Sequence, residues 1–164
     1  MPLLQEISRV VLIGAGATAV MDVWLLLLQR WGVPTGSFSL IGRWVGHMPR
    51  GRFVHAAISK TPPIRAELGI GWLTHYAVGI AYAGLLVGIA GVEWMRDPSW
   101  LPALALGVGT VVAPWFVMQP AMGAGFAASK TPTPLKNCLR SLANHAVFGG
   151  GLYLTAVFIV LATA

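Results

Sequence analysis

Three ionisable side chains lie inside long apolar runs: Asp22 in residues 10–28, His75 in 68–92 and His145 in 142–164. Taking a charge into lipid costs several kcal/mol unless it is paired or hydrated, so each is a functional candidate by default. At about 1.5 Å per helical residue, all three fall roughly 5 to 10 Å from the ends of their runs that adjoin the basic connections. They are expected at one depth, where a carboxylate and two imidazoles would form an intramembrane polar site.

That residue set supports three chemistries and one structural role. Histidine titrates near neutrality and a nearby carboxylate moves its pKa, so Asp22, His75 and His145 would make a protonatable relay for transport of a small solute or ion. Four helices enclose a pore only by oligomerising, so this reading brings a homo-oligomer with it. Alternatively, His75 and His145 would be the axial ligands of haem b in a redox membrane protein. Gly79 and Gly149, each four residues after a histidine and on its face, would then make room for the porphyrin. Lys60, Arg65, Lys130 or Arg140 would meet the propionates. As a metal site the trio would offer zinc three ligands and an open position, although no H-x-x-x-H or H-E-x-x-H spacing reinforces it. The structural role is a non-catalytic scaffold whose polar groups bond helices together, at about 0.6 to 2 kcal/mol each. No Ser-His-Asp or Cys-His arrangement stands out, and an enzyme ranks below these readings.

Other chemistry-bearing residues carry less. His47 and His55 sit among Met48, Arg50 and Arg52, where a solvated or headgroup-facing place is expected. Met118 and Met122 would suit soft copper, but methionine is more often packing material. Cys138 lies two turns before His145 and would be an accessory ligand at best; as a single cysteine it excludes an intrachain disulfide. Trp24, Trp44, Trp72, Trp94, Trp100 and Tyr153 read as interface or packing aromatics. Gly14-x-Gly16-x-x-Ala19 and Gly123-x-Gly125-x-x-Ala128 follow no strand, so neither is a dinucleotide loop.

The elements that must position these residues are membrane spans. Hydrophobic residues make up 56% of the chain and charged ones 10%, with mean hydropathy +0.72, which is outside a soluble globular composition. Segments 10–28, 68–92, 101–118 and 142–164 each approach the roughly 20 apolar residues that a span needs. Glu6 before Arg9, Asp22 within the first run and the lack of a small-residue cleavage site mark that run as a retained helix. Of eleven Lys and Arg, Arg30, Arg43, Arg50, Arg52, Lys60 and Arg65 follow span one, and Lys130, Lys136 and Arg140 follow span three. The positive-inside rule then makes both basic loops cytoplasmic and both termini external, with the lipid bilayer as partner and no nucleic-acid motif.

The chain also matches itself at an offset of 70 residues: Ala57, Ser59, Lys60, Thr61 and Pro62 recur as Ala127, Ser129, Lys130, Thr131 and Pro132. In the same register His75 pairs with His145 and Gly79 with Gly149, while spans one and three share only Gly14-x-Gly16 and Gly107-x-Gly109. Each unit holds two spans, so the copies have the same orientation. The expected fold is all-α, a four-transmembrane-helix bundle of two tandem hairpins in one membrane domain, 1–164, with repeat units of about 10–92 and 101–164. Thr61-Pro62 and Thr131-Pro132 are expected to start helices two and four as N-cap and first turn. Pro114 and Pro120 should kink or end helix three, and Gly84-x-x-x-Gly88 suits close helix packing.

The runs Gly14-Ala-Gly-Ala-Thr18-Ala-Val-Met21-Asp22, Gly42-Arg43-Trp44 and Gln119-Pro120, then Gly125 through Pro132 and His145-Ala-Val-Phe148-Gly149-x-Gly151-Leu152-Tyr153, together resemble a bacterial membrane-protein family, domain of unknown function 2938. The resemblance covers nearly the whole chain. It implies a bacterial inner-membrane protein and supplies no activity.

Overall fold

The computed structural model describes residues 2–163. It is all-α, with no strand among the described residues. The helices are α1 (Leu3–Arg30), α2 (Phe38–His47), α3 (Glu67–Ala90), α4 (Trp100–Gly109), the short α5 (Gln119–Ala121) and α6 (Pro134–Thr163). Pro114–Met118 forms a π-helical stretch between α4 and α5. Pro114 has no N–H to give the carbonyl four residues back, and the extra residue per turn accommodates that.

Four segments are long and apolar enough to span a membrane: Leu3–Arg30, Glu67–Ala90, Trp100–Ala121 and Pro134–Thr163. In each, at most 28% of the most apolar stretch is buried within the protein. The rest presents side chains such as Leu26, Leu73, Leu154 and Phe158 outward, 58 to 72% exposed. Such a surface is unfavourable in water and suited to hydrocarbon, so this is a multi-pass membrane protein.

The chain forms two compact units. The first comprises 2–33, 76–110 and 144–163 and holds a core of Ile13, Ala17, Ala83, Leu86, Phe148, Leu152 and Ala156. Its helices approach where side chains are smallest. Gly14 of α1 abuts the backbone of Gly79 and Ile80 on α3, and Gly107 of α4 abuts Gly149 on α6. Gly151 faces Ala17, and Gly16 faces Thr155, which joins α1 to α6. The two hairpins thus share a device: a glycine on the earlier helix against the glycine that pairs across the 70-residue offset. The expected Gly84-x-x-x-Gly88 contact is corrected, because Gly88 has open space beside it and Gly84 only reaches ordinary contact with Val10.

The second unit comprises 34–75 and 111–143. In it, Gly42 of α2 lies against the backbone of Glu67 and Gly71, the first turns of α3. The adjacent Arg43 forms a bidentate ion pair with Glu67, both bonds 2.9 Å, and donates to the carbonyls of Thr61 at 3.0 Å and of Ile58 and Ser59 at 3.4 Å. Donating to the Glu67 carboxylate holds the guanidinium pKa above its ordinary value. One arginine therefore fastens the Ser59-Lys60-Thr61 turn to the start of α3. The same motif holds Trp44, whose indole donates to Phe53 O at 2.8 Å.

The repeated loops keep one equivalent backbone bond, Thr61 N–H to Ile58 O at 3.1 Å and Thr131 N–H to Ala128 O at 2.9 Å, with Ile58 and Ala128 both buried. The helix starts differ from expectation. Pro63 follows Pro62 and disfavours a helical Pro62; the chain stays irregular, passes through Ala66 at φ 60°, and α3 begins at Glu67. In the second copy Pro134 likewise bars a helical Thr133. Here α6 begins at Pro134, and Asn137 N–H bonds Thr133 O at 3.1 Å. The Thr-Pro rule holds for Thr133-Pro134, one dipeptide later than Thr131-Pro132.

Candidate functional site

Asp22 and His145 belong to the first unit and His75 to the second. The Asp22 carboxylate accepts a 2.8 Å hydrogen bond from the Tyr76 hydroxyl, linking α1 to α3. His145 of α6 pairs with Thr110 through Nδ1 at 2.9 Å. Thr110 gives its own proton to Gly107 O at 2.7 Å, so its oxygen accepts and His145 carries hydrogen on Nδ1. His75 packs its ring against Phe38, centroids 4.7 Å apart, and against Trp72 at 6.0 Å.

These placements correct one detail. The face of Gly79 is filled by Thr18 and that of Gly149 by the backbone of Ala103 and Leu104, so neither glycine opens a porphyrin slot. Among the described residues no three His, Cys, Asp or Glu side chains are grouped to hold a metal ion. Cys138 donates its thiol to Ala127 O at 3.1 Å, steadying a residue at φ 47°.

The largest departure concerns His47 and His55. Both are buried, 4% and 9% exposed, although arginines surround them in the sequence. Their rings meet edge to face with centroids 5.4 Å apart. Helix α2 delivers His47 at its last residue, where Nε2 lies 3.1 Å from Pro62 O. His55 is fixed by its backbone N–H on Ala121 O at 2.7 Å and by Nδ1 at 3.3 Å from Thr61 Oγ1. Close backbone contact between Gly123, at φ 94°, and Ala56 seals this crossing. Four buried polar atoms of this unit have no hydrogen-bond partner: His47 Nδ1, His55 Nε2, Trp115 Nε1 and Gln119 Oε1. Each buried group left without a partner calls for an explanation, such as an ordered water, an ion or a catalytic role. Trp115 lies in the π-helical stretch and Gln119 directly follows it, and such stretches recur at functional sites. Local charge in the sequence, Arg50 and Arg52 beside the two histidines, points the other way.

A family model described as "Protein of unknown function (DUF2938)" matches residues 11–159. No curated protein and no solved structure matches the chain.

Proposed function

This chain belongs to the DUF2938 family of proteins of unknown function, and from that premise we propose that it moves a small solute or ion across the bacterial inner membrane. The observation that carries this reading is Asp22: an acidic side chain inside an apolar span, held by the Tyr76 hydroxyl at 2.8 Å. Intramembrane carboxylates are costly and concentrate on ion and proton paths. His145, bonded to Thr110 in the same unit, adds a second protonatable group. In this reading the basic loops face the cytoplasm, the termini face outward, and copies of the chain assemble to enclose the path.

The test is proteoliposome flux with a pH-sensitive dye and monovalent cations. The wild-type protein is expected to dissipate an imposed gradient, and Asp22→Asn to slow it at least about tenfold, roughly 1.4 kcal/mol of barrier, while remaining folded. Wild-type flux no faster than that of empty vesicles would overturn transport. The scaffold reading draws support from the same bonds, since Asp22 and His145 each tie two helices together; it expects Asp22→Asn to lower thermal stability with no flux to lose.

A further inference from the structure

The His47–His55 pair has a definite chemistry once its protons are assigned. Pro62 O can only accept, so the His47 nitrogen facing it, Nε2, carries the hydrogen. In the neutral tautomer the other ring nitrogen, Nδ1, carries no hydrogen. Nδ1 of His47 is then a bare lone pair. At His55, Thr61 donates its only hydroxyl proton to Ala57 O at 3.2 Å, so Thr61 Oγ1 accepts from Nδ1. Nε2 of His55 is the second bare lone pair. Both nitrogens are buried and unpartnered, in side chains more than nine-tenths buried.

Two neutral imidazoles, each with its N–H anchored on a protein oxygen and its other nitrogen bare, are the outer-sphere arrangement that orients histidine ligands toward a metal. At the two bare imidazole nitrogens an anion would meet only lone pairs, whereas a cation would be held. Spacing agrees. With metal–nitrogen bonds of about 2.0 to 2.1 Å, a metal lies about 3.2 Å from a ring centroid, so centroids 5.4 Å apart are within reach of one shared ion. Gln119 Oε1, also buried and unpartnered, belongs to the turn whose Ala121 carbonyl holds His55. It is the candidate third donor, with an open position left.

We propose that His47 Nδ1 and His55 Nε2 form a binding site for a first-row transition-metal cation of imidazole preference, zinc-like in geometry. The site is independent of the Asp22 transport reading. Full-length protein in detergent is titrated with Co²⁺ and then Zn²⁺. The expected result is a tetrahedral Co²⁺ ligand-field spectrum saturating near one ion per chain and displaced by Zn²⁺. His47→Ala and His55→Ala should each abolish it, Thr61→Val should weaken binding about 10- to 100-fold, and His75→Ala and His145→Ala should leave it intact. No spectrum above buffer, or one that survives either His47→Ala or His55→Ala, overturns the proposal. Should either alanine variant fail to fold, X-ray absorption of the Zn²⁺-loaded wild type decides: two imidazole shells support the site, and an all-oxygen shell overturns it.

Discussion

Gly107 and Gly149 meet backbone to backbone: a Cβ on Gly107 would stand 2.5 Å from the Cα of Gly149 and 2.6 Å from the carbonyl oxygen of His145. No rotamer relieves an overlap with backbone, so Gly107→Ala and Gly149→Ala should each cost about 1 to 3 kcal/mol. Gly88→Ala is the control. It meets nothing within 4 Å and should stabilise by roughly 0.5 to 1 kcal/mol through helix propensity. Thermal unfolding in one detergent measures all three.

Tyr76→Phe leaves Asp22 without the phenolic donor. Interhelical bonds of this kind contribute about 0.6 to 1.7 kcal/mol, and that is the expected loss. A double-mutant cycle with Asp22→Asn isolates it. Single losses that add to within about 0.3 kcal/mol would show that the bond contributes nothing.

Arg43→Lys should not behave as a conservative change. A lysine keeps the charge but cannot hold both Glu67 oxygens and the Thr61 carbonyl at once. Lys60, exposed in the turn that Arg43 fastens, provides the readout. Trypsin should cleave after Lys60 faster in both Arg43→Lys and Arg43→Ala than in the wild type, while α1 and α6 keep their protection. Equal cleavage rates in all three proteins would show that Arg43 does not hold the loop.

Ala66 adopts φ 60°, a conformation that costs a non-glycine residue roughly 1 to 2 kcal/mol. Ala66→Gly should recover about 1 kcal/mol in chemical unfolding. Ala66→Val, β-branched at the same angle, should lose stability. A glycine variant no more stable than the wild type would mean that the flexibility gained in the unfolded chain offsets the strain relieved.

The spans were legible because length and hydropathy alone decide what can sit in hydrocarbon, and the 70-residue self-match already pointed to Gly79 and Gly149. What those glycines do was not legible. Whether a small residue makes room for a cofactor or for a neighbouring backbone depends on what faces it, and Thr18, Ala103 and Leu104 are remote in sequence. Pro63 and Pro134 are readable from local sterics, yet the repeated Ser-Lys-Thr-Pro makes the preceding prolines look like the helix starts. His47 and His55 were masked by Arg50 and Arg52. Those two arginines are exposed, while the histidines turn inward onto Pro62 and Thr61. Charge along the chain reports the average environment of a loop and not the direction of each side chain.

The glycine crossings also limit how this chain can drift over evolutionary time. An outward Leu73 or Leu154 can exchange with isoleucine, valine or phenylalanine and still face hydrocarbon, so those columns should wander among relatives. A contact made of absent atoms has no such synonyms: once a side chain appears at Gly107 or Gly149, nothing opposite can shrink further to readmit it. An alignment of relatives should therefore find its fixed columns in the glycines that let the hairpins close, against a background of freely interchanging aliphatics.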